Sequence, residues 1–250
     1  MSSESANPTS PVARRTLRRS ILIGVGITTL LALTALSTYN GVTSDRFRWD
    51  LAITQWVQRL EVNETVEELV LYAAFAALGG AIAFGAGLWI WFRGHRVDVV
   101  MLGLAQIPNI INFSLRDLYG RPRPSGPLVN VIGVPSGYSY PSGHAVALVF
   151  VFGVFVFLLM QYSRNRHVTN AALLALLIYI PFGGLYFVHY GRHWASDIVG
   201  GFLYGLVYLV IWTRLFHVGR AWERRHPEAL TMATVRRVLA KLHLTAPPGA

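Results

Sequence analysis

The stretch "HYGRHWASD", residues 189–197, sets His189, His193 and Asp197 at steps of four, with Arg192 among them. On an unbroken helix that spacing puts all three on one face, and two imidazoles with a carboxylate are a ligand set for a transition metal. The same groups suit phosphate chemistry. An imidazole, with a reference pKa of about 6.5, is available as a neutral nucleophile near pH 7, and a carboxylate partner fixes which ring nitrogen carries the proton. Gly191 lies inside the run and argues against a continuous helix.

Two other stretches carry groups of the same kind. "PSGH", Pro141 to His144, stands immediately before an apolar run. Proline suits a first helical turn, Gly143 lets backbone approach a ligand closely, and a helix N-terminus offers unpaired N–H groups to an anion. Ser142 adds a hydroxyl. In "RDLYGRPRP", residues 116–124, Arg121 and Arg123 alternate with Pro122 and Pro124, which hold the backbone extended. The planar guanidinium fork matches phosphate oxygens. Taken singly, the first stretch also reads as a helix cap with a surface histidine, and the second as a lipid-headgroup anchor.

The elements that must position these residues are transmembrane helices. The chain has 250 residues, 53% of them hydrophobic and only 14% charged, with a mean hydropathy of +0.43; soluble domains carry about 25% charged residues. Apolar runs of the roughly 17 to 25 residues that span a bilayer fall at 21–39, 69–92, 97–114, 144–162, 170–189 and 197–216. The expected fold is all-α, six transmembrane helices in one bundle over 21–216, between basic cytoplasmic tails at 1–20 and 217–250. Residues 1–13 read as a disordered tail, and 217–250 suit either the anionic inner leaflet or solution. The first run is too long for the apolar region of a cleaved signal peptide and is expected to stay as an anchor.

Within this frame, residues 45–69 read as an interfacial helix with Phe47, Leu51, Trp56 and Leu60 at headgroup level. Pro108 and Pro181 are expected to kink their helices. Gly201 and Gly205, one turn apart, allow close helix contact. Asn109 and Asn112 share a face of the third span, leading either to support of Arg116 or to interhelical hydrogen bonds. The chain has no cysteine, which excludes disulfides and thiolate metal sites.

The net charge of +10 follows topology. With the N-terminus inside, the inner segments hold Arg14, Arg15, Arg18, Arg19, Arg93, Arg96, Arg164 and Arg166 and the basic C-terminal tail, while outer arginines are offset by acids such as Asp45, Asp50, Glu61 and Asp117. Both termini are therefore expected in the cytoplasm. A nucleic-acid partner is not expected, because the basic residues form no stripe with interleaved aromatics. All three motif-bearing stretches then fall at helix ends on the outer side.

In this order and at these membrane positions, "RDLYGRPRP", "PSGH" and "HWASD" resemble the three signature motifs of type 2 phosphatidic acid phosphatases, the integral-membrane lipid phosphatases related to vanadium haloperoxidases. The resemblance covers about residues 109–205. It implies the phosphatase/haloperoxidase-like helical core, no cofactor and no metal. The implied substrate is a phosphorylated lipid on the outer face of the cell membrane: a polyprenyl diphosphate such as the undecaprenyl carrier, phosphatidic acid or phosphatidylglycerophosphate. Carried over by position, His193 is the nucleophile that forms a phosphohistidine, Asp197 orients its ring, and His144 is the acid for the leaving oxygen. Arg116, Arg123, Ser142 and Gly143 bind phosphate.

The chain departs from the pattern twice. Arg116 stands where the first motif has lysine, and Tyr186 and Phe187 stand where the third has Ser-Arg. Losing one strong transition-state donor costs roughly 2.7 to 4 kcal/mol. Arg192 and Arg121 are the candidates to replace it, although on a continuing helix Arg192 would point about 140° away from position 187. Two rival readings follow from the same residues: a metal-dependent hydrolase using His189, His193 and Asp197, and a catalytically degenerate member that binds phospholipid without turnover.

Overall fold

Five of the six apolar runs fold as helices in the computed structural model, which describes residues 11–61, 87, 91–92, 94–133 and 136–227. In chain order the helices among these residues are α1 (Pro11–Thr43), α2 (Asp50–Val57), α3 (Arg96–Leu104), α4 (Ile107–Tyr119), α5 (Gly143–Tyr162), α6 (Arg166–His189) and α7 (Ala195–Arg225). Five stretches are long and apolar enough to cross a membrane, α3 and α4 counting together as one. The expected span at 69–92 lies outside the described residues, apart from isolated positions at its end, as does most of the C-terminal tail. Helix α1 begins at Pro11, so the helix takes in the end of the stretch expected to be disordered, and α7 runs nine residues past 216 to Arg225.

Helix α7 is the axis of the bundle. A Cβ at Gly201 would sit 2.6 Å from both the Ala145 Cβ and the Ser142 carbonyl oxygen, and one at Gly205 would sit 2.8 Å from the Val149 Cβ. The two glycines therefore let α5 lie against α7 at backbone distance, as their spacing predicts. On another side α1 joins through hydroxyl pairs that suit a medium without water: Ser37 with Tyr140 at 2.8 Å and Thr38 with Tyr204 at 2.9 Å. At the end of the bundle away from the motifs, Arg220 of α7 bonds the buried Asp98 of α3 and the Tyr162 hydroxyl of α5. Glu223 accepts from the Arg96 and Val97 amides and so caps α3.

The third expected span, 97–114, is two helices. Pro108 lies in the first turn of α4, where its missing N–H costs nothing; inside a continuous helix its ring would strike the carbonyl of Leu104, the last residue of α3. Pro181, by contrast, stays inside α6. Between α6 and α7 the chain reverses at Gly191, whose φ of +64° and contact with the Asn130 carbonyl leave no room for a side chain.

Of the expected interfacial helix, the described part is the eight-residue α2, and it serves two surfaces. Trp56 is exposed, while Asp50, Thr54 and Val57, at steps of four and three, are buried against α6 and α7. Asp50 reaches the α7 N-terminus: Oδ1 accepts from the Ser196 amide at 2.8 Å, and Oδ2 accepts from the Ser196 hydroxyl at 2.6 Å. The carboxylate thus satisfies a backbone donor that the helix leaves unpaired and meets the positive end of its dipole. The same Oδ2 accepts from Arg121 at 2.8 Å. Arg121 is 2% exposed and also donates to Asp197 Oδ1 at 2.6 Å, to the Ser196 hydroxyl at 2.8 Å and to the Asp45 carbonyl at 3.2 Å.

Two stability predictions follow. Asp50→Ala leaves a buried guanidinium short of a partner and is expected to cost about 3 to 5 kcal/mol, read as a lowered thermal midpoint in detergent, with Asp50→Asn milder because the amide oxygen still accepts from Ser196. Gly201→Val is expected to cost about 1 to 3 kcal/mol by overpacking. Gly24→Ala, on α1 with nothing within 4 Å of the added methyl, is the control that leaves the midpoint unchanged.

Candidate active site

The three motif-bearing stretches meet at one end of the bundle, where α4 and α6 finish and α5 and α7 begin. Helix α4 stops at Gly120, which has a left-handed φ of +65°. The chain then turns Arg121 into the protein and leaves Arg123 half-buried at the mouth. Ser139 closes this loop from the other side: its amide donates to the Arg121 carbonyl at 2.9 Å, and its hydroxyl lies 3.0 Å from the Pro122 carbonyl and 3.4 Å from Asp197 Oδ1.

His193 stands in the middle, 1% exposed. Its Nδ1 is 3.6 Å from Asp197 Oδ2 and makes no hydrogen bond at that distance; its Nε2 is 3.3 Å from Arg123 Nη1. A guanidinium only donates, so the nitrogen facing it presents a lone pair. In the neutral ring the proton is then assigned to Nδ1, toward Asp197. Asp197 is itself fixed, Oδ1 by Arg121 and Oδ2 by the Trp194 amide at 2.8 Å. Burial pushes the His193 pKa below its ordinary value; Asp197 and the Ser139 backbone oppose the shift, and Arg123 adds to it.

Three guanidiniums ring the mouth. Arg123 Nη1 donates to the Arg192 carbonyl at 2.5 Å and Nε to the Gly137 carbonyl at 3.0 Å. Arg116 lies over the Phe113 ring at 4.9 Å, with a buried Nε that has no hydrogen-bond partner. Arg192 lies over the Tyr190 ring at 5.5 Å. None of the three forms an ion pair among the described residues. Burial lowers the Arg123 pKa, and Arg116 and Arg192 lower it further against the pull of Asp197. A dianion between them would relieve that repulsion.

On the α5 side, the exposed His144 ring stacks on Phe187 with centroids 4.1 Å apart and lies 6.1 Å from the His193 ring. Ser142 is the α5 N-cap, its hydroxyl accepting from the Ala145 amide at 3.4 Å while its own amide donates to the Asp197 carbonyl at 3.1 Å. The residue is buried, and a hydroxyl that accepts here keeps one proton to donate. Gly143 packs against Asn112, whose Nδ2 would be 3.4 Å from an added Cβ. All seven candidate residues, Arg116, Arg123, Ser142, Gly143, His144, His193 and Asp197, thus lie at this end of the bundle.

Other expectations change. The His189, His193, Asp197 set is divided by the Gly191 turn: His189 ends α6 with Nδ1 3.1 Å from the Val57 carbonyl, and no three His, Cys, Asp or Glu side chains form a metal-binding group among the described residues. Arg121 is a buried strut with all its bonds inside the protein, so it is not a phosphate ligand in reserve. The 140° separation assumed for Arg192 does not apply, because α6 ends before it. Asn109 is exposed and Asn112 buried, so the two do not act together. Sequence reasoning missed the roles of Asp50 and Ser139, and it aimed Asn112 at Arg116 where the structure sets its Nδ2 against Gly143. Asp50 offered one signal, an acid inside a tryptophan-bearing amphipathic stretch at a spacing that turns it away from Trp56.

Comparison with known proteins bears on this geometry. The sequence profile of the PAP2 superfamily matches residues 98–220. Phosphatidylglycerophosphatase B of Bacillus subtilis (strain 168) is 28% identical over 133 residues, which are 50% of this chain and 61% of that protein, so the alignment spans less than two thirds of the relative. The fold resembles the crystal structure of a transmembrane PAP2-type phosphatidylglycerolphosphate phosphatase from Bacillus subtilis, with a TM-score of 0.66 and 18% identity, covering 75% of this chain and 94% of the other. The profile takes in the stretches that hold Arg116, Arg123, the PSGH turn, His193 and Asp197, on a helical bundle of matching shape, and the region 98–220 of this multi-pass membrane protein is of the PAP2 superfamily.

Proposed function

We propose that the protein is a lipid phosphatase that removes phosphate from a phosphomonoester or diphosphate headgroup, with His193 as nucleophile and the site on the outer face of the cell membrane. The observation that carries this reading is the orientation of His193: Nε2 turned to the Arg123 guanidinium and Nδ1 to Asp197. A phosphoryl group held by Arg116 and Arg123, with the Ser142 hydroxyl and the Gly143 amide at the α5 N-terminus, has its phosphorus presented to that lone pair.

The reaction then runs in two displacements. His193 Nε2 attacks phosphorus; the N–P bond forms as the P–O bond to the lipid breaks, and His144 gives its proton to the departing oxygen. The ring becomes cationic, and Asp197, fixed by Arg121 and the Trp194 amide, stabilises it. His144, now neutral, takes a proton from water, which attacks the phosphohistidine and releases inorganic phosphate. Charge on the transferred group spreads over three equatorial oxygens, and Arg116 and Arg123 are the proposed partners for it. The proposed substrates are phosphatidylglycerophosphate, after the named activity of the Bacillus relative, phosphatidic acid and undecaprenyl diphosphate. The PAP2 assignment and the lipid-facing helices support a lipid rather than a soluble ester.

The test is phosphate release from these three lipids by the purified chain in detergent with excess EDTA, beside His193→Ala. Release is expected to persist in EDTA and to fall by at least about 10⁴-fold in the variant, the scale of losing an activated nucleophile. Loss of release in EDTA, or an equally active variant, overturns the reading. The pH profile gives a second prediction. Because the His193 pKa is lowered, its neutral form survives below the ordinary imidazole value; the acid limb of kcat/KM is expected below pH 6.5. A limb at or above that value contradicts a buried neutral nucleophile.

A further inference from the structure

Phe187 is buried and apolar at the foot of the site, and Arg121 is used up in the interior, so neither supplies a third cation to the mouth. We infer that Arg192 is a phosphate-binding residue of this chain, completing with Arg116 and Arg123 a three-guanidinium clamp on the phosphoryl group. This inference rests on the phosphatase reading and names a residue that reading does not require.

The backbone places it. With α6 ended and Gly191 in the left-handed conformation, the amides of Arg192 and His193 both donate to the Phe187 carbonyl, at 3.0 and 3.2 Å. The Arg192 carbonyl accepts from Arg123 Nη1, the same nitrogen that faces His193 Nε2. Arg192 is therefore tied on one side to the turn that carries His193 and on the other to a phosphate-facing guanidinium. Its side chain, by contrast, is held loosely: Nε reaches the Ile132 carbonyl at 3.4 Å, the guanidinium rests on Tyr190, and the residue is only partly buried. Its charge adds to that around Arg123 and lowers the Arg123 pKa. Arg123 lies against the nucleophile, Arg116 and Arg192 act on Arg123, and none of the three has an ion pair among the described residues, so a multiply charged phosphoryl group would be their counter-charge. A headgroup anchor would not need its carbonyl on Arg123.

Arg192→Ala and Arg192→Lys test this in the purified full chain, with wild type and His193→Ala alongside. The readouts are kcat and KM on phosphatidic acid, inhibition by orthovanadate, and binding of inorganic phosphate by calorimetry. Arg192→Ala is expected to lower kcat/KM by about 10²- to 10³-fold, chiefly in kcat, as for loss of one transition-state donor. Orthovanadate inhibition should weaken by at least tenfold, with Arg192→Lys between, since it keeps the charge and loses the fork. Arg192→Ala within threefold of wild type on both measures overturns the inference while leaving the phosphatase reading intact. Should Arg192→Ala unfold, Arg192→Lys decides: a tenfold loss in kcat/KM at an unchanged thermal midpoint supports the role, and wild-type activity ends it. Should wild type release no phosphate, the phosphatase reading fails, and calorimetry decides Arg192 separately. Weaker phosphate binding in the alanine variant then supports the clamp; equal binding, or none by wild type, removes it.

Discussion

A guanidinium that water does not reach holds the site end of this molecule together. Arg121 alone in an apolar interior would be prohibitively costly, and so would Asp50 or Asp197. Packed together, with the Ser196 hydroxyl and the Asp45 carbonyl completing the donor set, each makes the others tolerable. Buried ion pairs of this kind add little net stability over apolar packing, while removing one partner is severe. Their contribution here is position. Arg121 ties the loop after α4 to the α7 N-terminus, and Asp50 ties α2 to the same point, so α2 docks although eight residues are too few for a helix to persist on its own.

The consequence for chemistry runs through Asp197. Its two oxygens are committed to Arg121 and to the Trp194 amide, so the carboxylate cannot rotate away from His193. Ser139 lies against the same oxygen and against the Arg121 and Pro122 carbonyls. The carboxylate facing the histidine is thus fixed by buried residues behind it. The same principle applies at α5, where Ser142 caps the helix and bonds the Asp197 backbone, linking the anion-facing turn to the carboxylate.

Much of this was legible in the sequence. The apolar runs locate the helices because a span must bury its backbone in itself, and the two glycines of α7 identify the face on which α5 lies. The ordered motifs gather His144, His193, Asp197, Arg116 and Arg123 at one end because loop charge puts their helix ends on one side. What was not legible is which arginine of "RPRP" faces inward. Arg121 and Arg123 are the same residue in the same local pattern, and their roles diverge only because Asp50, more than seventy positions away in sequence, lies beneath one of them. Asp50 carries no local mark of a partner. The break between α3 and α4 was readable only halfway: Pro108 signals a disturbance, and whether it bends a helix or starts a new one depends on the turn before it.

The arginines and the histidine impose opposing demands. A nucleophilic imidazole must be neutral, and burial and the Arg123 charge both favour that state. Asp197 favours the cation, yet its charge is shared with Arg121 at 2.6 Å, which weakens its hold on His193 in the resting state without moving it. In the proposed reaction the ring gains charge as phosphorus is attacked, and the same carboxylate is already in place. Phe187 fits this balance. Stacked on His144 at 4.1 Å, it gives that ring a π face where a guanidinium would add positive charge between two histidines. With Phe187 there, the nearest cation on this stretch of the site is Arg192, beyond the Gly191 turn, and an apolar ring lies against both histidines.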